Sequence, residues 1–277
     1  MLSEKNRSHS IALPIDSILS KKRSVTVRIV TSGRPDVVFF AGFGNEGRSL
    51  THIVKLLEAQ GIRNFAVVGP LPYWHVSATA AAVKALGITG AAAAAKYIRE
   101  QYKISLLHVI AESQTAGALM HAAVEYPHIF NGNIALLRPL GLTKMTRKEF
   151  KKGLRSGLFH PDQVFDMGVW PVGIKAAWRV LQDQLRHGGE QFNLGITWDS
   201  RRELKQLYAR KSDHLRVFAA KDDKLYPAEA IAESLGIDGM SKILEVIPGI
   251  HASPASRAGN LQVAHTIRWC KSNLARP

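Results

Sequence analysis

Residues 106–124 read LLHVIAESQTAGALMHAAV, and this stretch decides the fold. Its start, Leu106–Ile110, is mostly apolar and too short for a helix, so it predicts a buried strand. The alanine-rich segment Ala118–Val124 favours a helix. Ser113 lies in the turn between them, where its hydroxyl would be exposed beside the N–H groups that begin the helix. That geometry suits a nucleophile, although serine is also a preferred N-cap residue.

The same alternation of strand and helix patterns extends along the chain. Apolar runs predict strands at 37–41, 65–68, 106–110, 133–137, 215–220 and 243–247, and an alternating pattern at 25–30 predicts a strand paired antiparallel with 11–15. Helical stripes occupy 49–60, 78–102 (with a break expected at Gly87–Gly90), 118–124, a segment starting at 228, and 260–274. This rhythm predicts an α/β protein: a mostly parallel eight-stranded sheet with helices on both faces.

The rhythm stops between Thr143 and His214, where only helical patterns occur. We therefore predict a helical cap at 143–214, inserted into a core formed by residues 1–142 and 215–277. The formal net charge is +15, and Lys144–Arg216 alone holds 15 basic and 8 acidic residues. Such a surface would attract anionic surfaces weakly. No nucleic-acid-binding motif accompanies the charge, so we expect no specific nucleic-acid partner.

The composition narrows the class of protein further. A chain of 277 residues can bury a large core, and its only cysteine, Cys270, excludes an internal disulfide and a thiolate metal cluster. No segment has the apolar length of a membrane span or a signal peptide. The Gly42–Gly47 stretch has dinucleotide-type glycine spacing but lacks the acid expected about 20 residues later. We expect a cytoplasmic protein with no cofactor and no metal. The sequence does not address its oligomeric state.

Two other predicted strands are followed by residues that catalysis uses. Asp222 and Asp223 follow the 215–220 strand, and His251 follows the 243–247 strand. The carboxyl ends of parallel strands share one edge of the sheet, so these residues and Ser113 are expected to meet there. A serine hydroxyl needs an imidazole base, and a carboxylate orients that imidazole. The backbone N–H groups of Gln114 and Phe43 are candidates to stabilise an oxyanion.

The order Ser, Asp, His, over about Ile11 to Leu274, resembles the α/β-hydrolase family. Gly42-Phe43-Gly44 is similar to the family's oxyanion turn, Asp223 with Pro227 is similar to its acid motif, and Gly249-Ile250-His251 to its histidine motif. In the family's Gly-x-Ser-x-Gly motif, Ala111 and Thr115 replace the glycines here. Ala41 stands where many members have a histidine. Threonine is β-branched, so strain or a reshaped turn is expected at that corner.

The resemblance implies a serine hydrolase acting on a carboxylic ester or thioester. Ser113 would be the nucleophile, His251 the general base, Asp223 its orienting acid, and the N–H groups of Phe43 and Gln114 the oxyanion hole. Three alternatives stay open at this point. Asp222 is a second candidate for the acid, an acyl acceptor other than water would make the protein an acyltransferase, and the altered glycines suit a non-catalytic binding protein of the same fold.

Overall fold

The structure is a computed structural model that describes residues 7–12, 26–42, 48–69, 80–158, 194, 196–236, 240–251 and 256–274. Eight strands form one sheet: β1 Arg7–Ala12, β2 Thr26–Ser32, β3 Val37–Phe40, β4 Phe65–Val68, β5 His108–Glu112, β6 Ile134–Leu137, β7 Leu215–Ala220 and β8 Leu244–Ile247. Seven α-helices are described: α1 Arg48–Ala59, α2 Ala80–Tyr102, α3 Ser113–Glu125, α4 Arg147–Leu158, α5 Arg201–Lys211, α6 Ala228–Leu235 and α7 Arg257–Asn273.

The strand order is β1-β2-β4-β3-β5-β6-β7-β8. β2 pairs antiparallel with β1 and with β4, and every other neighbouring pair is parallel. The predicted mostly parallel eight-stranded sheet is therefore confirmed. The antiparallel edge is also present, but its outer strand covers Arg7–Ala12, earlier than the 11–15 segment expected from the sequence. Residues 13–15 lie outside the described residues.

Apolar residues on both faces of the sheet are covered by helices. Along β3, Val38 and Phe40 belong to the core shared with α2 and α3, whereas Val37 and Phe39 belong to the core shared with α1 and α7. All four are fully buried, because the side chains of a strand alternate between its faces. A strand buried on both sides needs a continuous apolar run, which is the pattern that its sequence shows.

The break predicted at Gly87–Gly90 is wrong, since α2 runs unbroken from Ala80 to Tyr102. A glycine inside a helix costs about 1 kcal/mol relative to alanine. Here both glycines are buried, and the helix packs closely along α3. Residues 91–95 are all alanine, the residue type with the highest helix propensity. Packing and propensity together outweigh the two glycines.

Two helices of the predicted cap are described. In the chain, α4 comes soon after the first core segment, which ends at residue 142, and α5 comes shortly before the second, which begins at residue 215. A capping box begins α4: the Thr146 N–H donates to the Glu149 carboxylate at 2.8 Å, and the Glu149 N–H donates to the Thr146 hydroxyl at 3.3 Å. α5 buries Leu204 and Leu207 in the core that contains α2 and α3. Residues 159–193, the middle of the predicted cap, lie outside the described residues. The division into core and cap stays a prediction.

Trp198, just before α5, joins this insertion to the helix that follows Ser113. Its buried indole lies against Gly117 of α3 and against Gly141, and its Nε1 donates to the Ser200 hydroxyl at 2.8 Å. A Cβ at either glycine would come within 3.3 Å of the indole. Small residues are therefore needed at both contacts. Among the described residues, no helix is long and apolar enough to cross a membrane.

Candidate active site

β5 ends at Glu112 and α3 begins at Ser113 with no loop between them. Ser113 has a φ of 53°, in the left-handed region that residues other than glycine rarely adopt. Ser113 does not cap the helix, because the N-cap residue is Glu112. Its hydroxyl instead points towards His251. We call Glu112–Thr115 the Ser113 turn.

The structure brings together the three side chains that the sequence predicts for catalysis. Ser113 Oγ lies 3.5 Å from His251 Nε2, and His251 Nδ1 lies 2.8 Å from Asp223 Oδ2. The Asp223 side chain is fully buried, and the His251 side chain is 20% exposed. The three form one chain of polar contacts that starts in the protein interior and ends at the serine hydroxyl.

The neighbours of Asp223 fix both oxygens of its carboxylate. Oδ1 accepts backbone N–H groups from Leu225 at 2.7 Å and Tyr226 at 2.9 Å, which leaves Oδ2 for the imidazole. Asp222, by contrast, is exposed, and its backbone N–H donates to Gly249 O at 2.9 Å. Of the two candidate acids, Asp223 is the one in contact with His251.

Two further side chains hold His251 in its place. Gln262 of α7 donates from Nε2 to the carbonyl oxygens of Pro248 and Ile250, both at 3.0 Å, and so ties down the segment that carries the histidine. The Tyr226 ring meets the imidazole edge-on, with ring centres 5.3 Å apart. Burial, followed by the nearby Asp223 charge, raises the pKa of Tyr226 well above its usual value. The tyrosine is therefore a neutral packing partner.

The structure describes one of the two predicted oxyanion donors, Gln114. Gln114 lies in the first turn of α3, next to Ser113, where backbone N–H groups have no partner within the helix itself. The positive end of the helix dipole adds to its suitability for a negative charge. Phe43 lies outside the described residues, which end at Gly42 on this segment.

Thr115 is accommodated by a hydrogen bond. It is fully buried, and its hydroxyl donates to Ala41 O, at the end of β3, at 2.9 Å. The β-branched side chain that looked disruptive in the sequence thus links the Ser113 turn to the next strand of the sheet.

Sequence reasoning missed a buried ion pair beneath the Ser113 turn. Glu112 is 3% exposed and Arg138 is fully buried, and Arg138 Nη2 donates to Glu112 Oε1. The other carboxylate oxygen, Oε2, accepts the Gly42 N–H at 3.3 Å. Arg138 also has a left-handed backbone, with a φ of 49°. The available signal was that opposite charges end two consecutive strands, β5 and β6, which lie side by side in the sheet.

Comparison with known proteins adds the identity of the fold. No protein-family model matches the chain, and no curated protein sequence does. A 2-hydroxy-6-oxo-6-phenylhexa-2,4-dienoate hydrolase from Rhodococcus sp. strain RHA1 is similar in structure, with a TM-score of 0.57, 12% identity, and coverage of 95% of this chain and 99% of that chain. A thermophilic esterase has a TM-score of 0.54 at 11% identity, covering 97% and 99%. An epoxide hydrolase from Vigna radiata has a TM-score of 0.54 at 11% identity, covering 98% and 100%.

This chain has the α/β-hydrolase fold. The expectation drawn from the order of Ser113, Asp223 and His251 is thereby confirmed for the fold. In the α/β-hydrolase sheet of this chain, the three residues follow β5, β7 and β8, all at the carboxyl ends of parallel strands. At identities of 11–12%, the similarity concerns the architecture and not the chemistry.

Proposed function

We propose that the protein is a serine hydrolase that cleaves a carboxylic ester or thioester through a covalent acyl-enzyme. The observation that carries this proposal is the continuous chain of contacts from Asp223 through His251 to the Ser113 hydroxyl. The left-handed backbone of Ser113 supports it, because a strained residue held by its surroundings is characteristic of functional sites.

The proposed reaction begins when Ser113 Oγ attacks the carbonyl carbon and its proton passes to His251 Nε2. At 3.5 Å the two atoms are farther apart than in a strong hydrogen bond, and such contacts commonly shorten when substrate binds. Asp223 keeps the Nδ1 proton on the imidazole and stabilises the imidazolium that forms. The carbonyl oxygen becomes an oxyanion, which the Gln114 N–H stabilises together with that of Phe43.

His251 then returns the proton to the leaving alcohol or thiol, which departs and leaves the acyl group on Ser113. A water molecule next gives its proton to His251 and attacks the acyl carbon. Collapse of the second tetrahedral intermediate releases the acid and restores the serine hydroxyl. In each half of the cycle the imidazole accepts one proton and then donates it, so the enzyme ends unchanged.

The test is covalent labelling with a fluorophosphonate probe, combined with hydrolysis of a series of nitrophenyl esters. Wild-type protein is expected to be labelled and to turn over at least one chain length, whereas Ser113→Ala should do neither. Ser272→Ala is the matched control, because that hydroxyl lies on the surface of α7 and bonds only to helix carbonyls. Equal labelling of wild type and Ser113→Ala would overturn the proposal. An unlabelled wild type would favour a non-catalytic binding protein.

A further inference from the structure

We infer that Glu112 and Thr115 are positioning residues that orient the Ala41–Gly42 peptide group, which directly precedes Phe43, the second proposed oxyanion donor. This inference rests on the proposed function and deepens it. Neither residue lies in a position to touch the reacting atoms through its side chain, since both side chains are turned towards β3.

The two side chains hold opposite ends of a single peptide group. The carbonyl oxygen of Ala41 accepts the Thr115 hydroxyl at 2.9 Å, and the N–H of Gly42 donates to Glu112 Oε2 at 3.3 Å. The carbonyl of one residue and the N–H of the next belong to the same planar unit. Fixing both ends prevents this unit from rotating about the chain direction.

The close approach of the two segments makes this restraint specific. A Cβ at Gly42 would come within 3.2 Å of the Glu112 side chain and of its backbone oxygen. Glycine at this position therefore lets the peptide reach the carboxylate. The residue after the restrained peptide is Phe43, whose N–H is one of the two proposed oxyanion donors.

Arg138 keeps the Glu112 carboxylate in its role as acceptor. Its fully buried guanidinium occupies Oε1 and supplies the opposite charge, so the ionised carboxylate is compensated inside the protein. A charged acceptor also makes a stronger hydrogen bond to the Gly42 N–H than a neutral one. The ion pair thus serves the geometry of β3 as well as the packing of β5 against β6.

A donor to an oxyanion has to lie within a few tenths of an ångström of its best position. Rotation of the Ala41–Gly42 peptide would change the direction in which the chain continues from Gly42 to Phe43. The expected consequence is a lower kcat with an unchanged KM, because the lost interaction exists only in the transition state. A purely structural role for the two hydrogen bonds would lower stability without that kinetic signature.

The experiment compares Thr115→Val, which keeps the side-chain shape without the donor, with Thr115→Ser, which keeps the hydroxyl. Thr266→Val is the matched control: Thr266 is also fully buried and donates to a carbonyl, that of Gln262 within α7. We expect Thr115→Val to lose about 10- to 100-fold in kcat on a nitrophenyl ester, with KM within about twofold. Thr115→Ser should recover kcat to within about threefold of wild type, and Thr266→Val should lower Tm but not kcat.

A double variant tests the Glu112 side of the contact. Glu112→Leu with Arg138→Leu removes both charges together, so neither is left buried alone. The double variant is expected to lower kcat at least as far as Thr115→Val does. If Thr115→Val does not fold, Thr115→Ala is used in its place. A folded Thr115→Val or Thr115→Ala variant that keeps wild-type kcat overturns the inference, as does an equal loss of kcat in Thr266→Val. Both results leave the proposed function intact, whereas hydrolysis by Ser113→Ala would overturn the two together.

Discussion

Replacing Asp223 with asparagine perturbs the proposed reaction at one atom. Oδ1 of the native carboxylate accepts two backbone N–H groups, at 2.7 and 2.9 Å. In Asp223→Asn the amide oxygen is expected to keep these two bonds, because the flipped amide would set its NH2 group against two donors. Each donor left unsatisfied in the interior costs about 1–3 kcal/mol. The amide nitrogen therefore faces His251 Nδ1.

An amide NH2 group can only donate, so His251 Nδ1 has to become an acceptor. Its proton then resides on Nε2, which presents an N–H instead of a lone pair to Ser113. A histidine in this tautomer cannot accept the serine proton. A wrong tautomer of this kind costs roughly 10⁴-fold in kcat, or about 5.5 kcal/mol of transition-state free energy at about 1.4 kcal/mol per factor of ten.

The assay is kcat and KM on the best nitrophenyl ester, with Tm measured on the same preparation. Asp222→Asn is the control, since Asp222 is exposed and its contact with Gly249 O uses only the backbone. We expect Asp222→Asn to stay within about twofold of wild type. The reasoning is refuted if Asp223→Asn keeps more than a tenth of wild-type kcat, or if the two variants lose activity equally.

Three other predictions concern the surrounding protein. Burial lowers the pKa of His108, whose Nδ1 accepts a backbone N–H at 3.2 Å, so stability should fall as pH drops below about 6.5. His108→Asn keeps an acceptor there without a titrating proton. Its free energy of unfolding in urea should therefore depend less on pH, with a slope that is lower by up to about 1.4 kcal/mol per pH unit, and an unchanged slope contradicts this. Burial raises the pKa of the Cys270 thiol to about 12, so Ellman's reagent at pH 8 should react with denatured protein only, and rapid reaction of native protein contradicts this. Gly141→Ala should lose more unfolding free energy than Gly236→Ala: both have positive φ, but a Cβ at Gly141 lies 2.7 Å from an indole carbon and one at Gly236 meets nothing within 4 Å. The Gly236 variant should lose about 1–3 kcal/mol, and equal losses would contradict the packing argument.

The order of strands and helices was predictable because the buried strands are short, mostly apolar runs and the helices between them show periodic apolar stripes. The edge strand was displaced from its predicted place, because Arg7–Ala12 pairs through its backbone and needs no apolar face. The helix break at Gly87–Gly90 was wrong for a related reason. Glycine weakens an isolated helix, but packing against a neighbouring helix decides whether α2 continues, and a sequence does not display that contact.

The candidate site was predictable where residues follow strand ends, as Ser113, Asp223 and His251 do. What escaped the sequence were contacts between strands whose polar partners lie far apart in the chain. Thr115 was interpreted as a source of strain, since its acceptor, the carbonyl of Ala41, lies 74 positions earlier. Glu112 was assigned no role, because its partners, the Gly42 N–H and the Arg138 guanidinium, follow neighbouring strands. Backbone acceptors carry no mark in a sequence, so no pattern pointed to the Thr115 contact, whereas the opposite charges at the ends of β5 and β6 were a signal for the Glu112–Arg138 pair.

The left-handed backbone at Ser113 lowers the stability of the protein at the position that carries the proposed nucleophile. A non-glycine residue in that conformation costs about 1–2 kcal/mol, whereas glycine adopts it without steric penalty. A screen for heat resistance alone would therefore tolerate Ser113→Gly and discard the hydroxyl. Engineering this protein for harsher conditions should leave residue 113 untouched and search instead among positions remote from the carboxyl edge of the sheet.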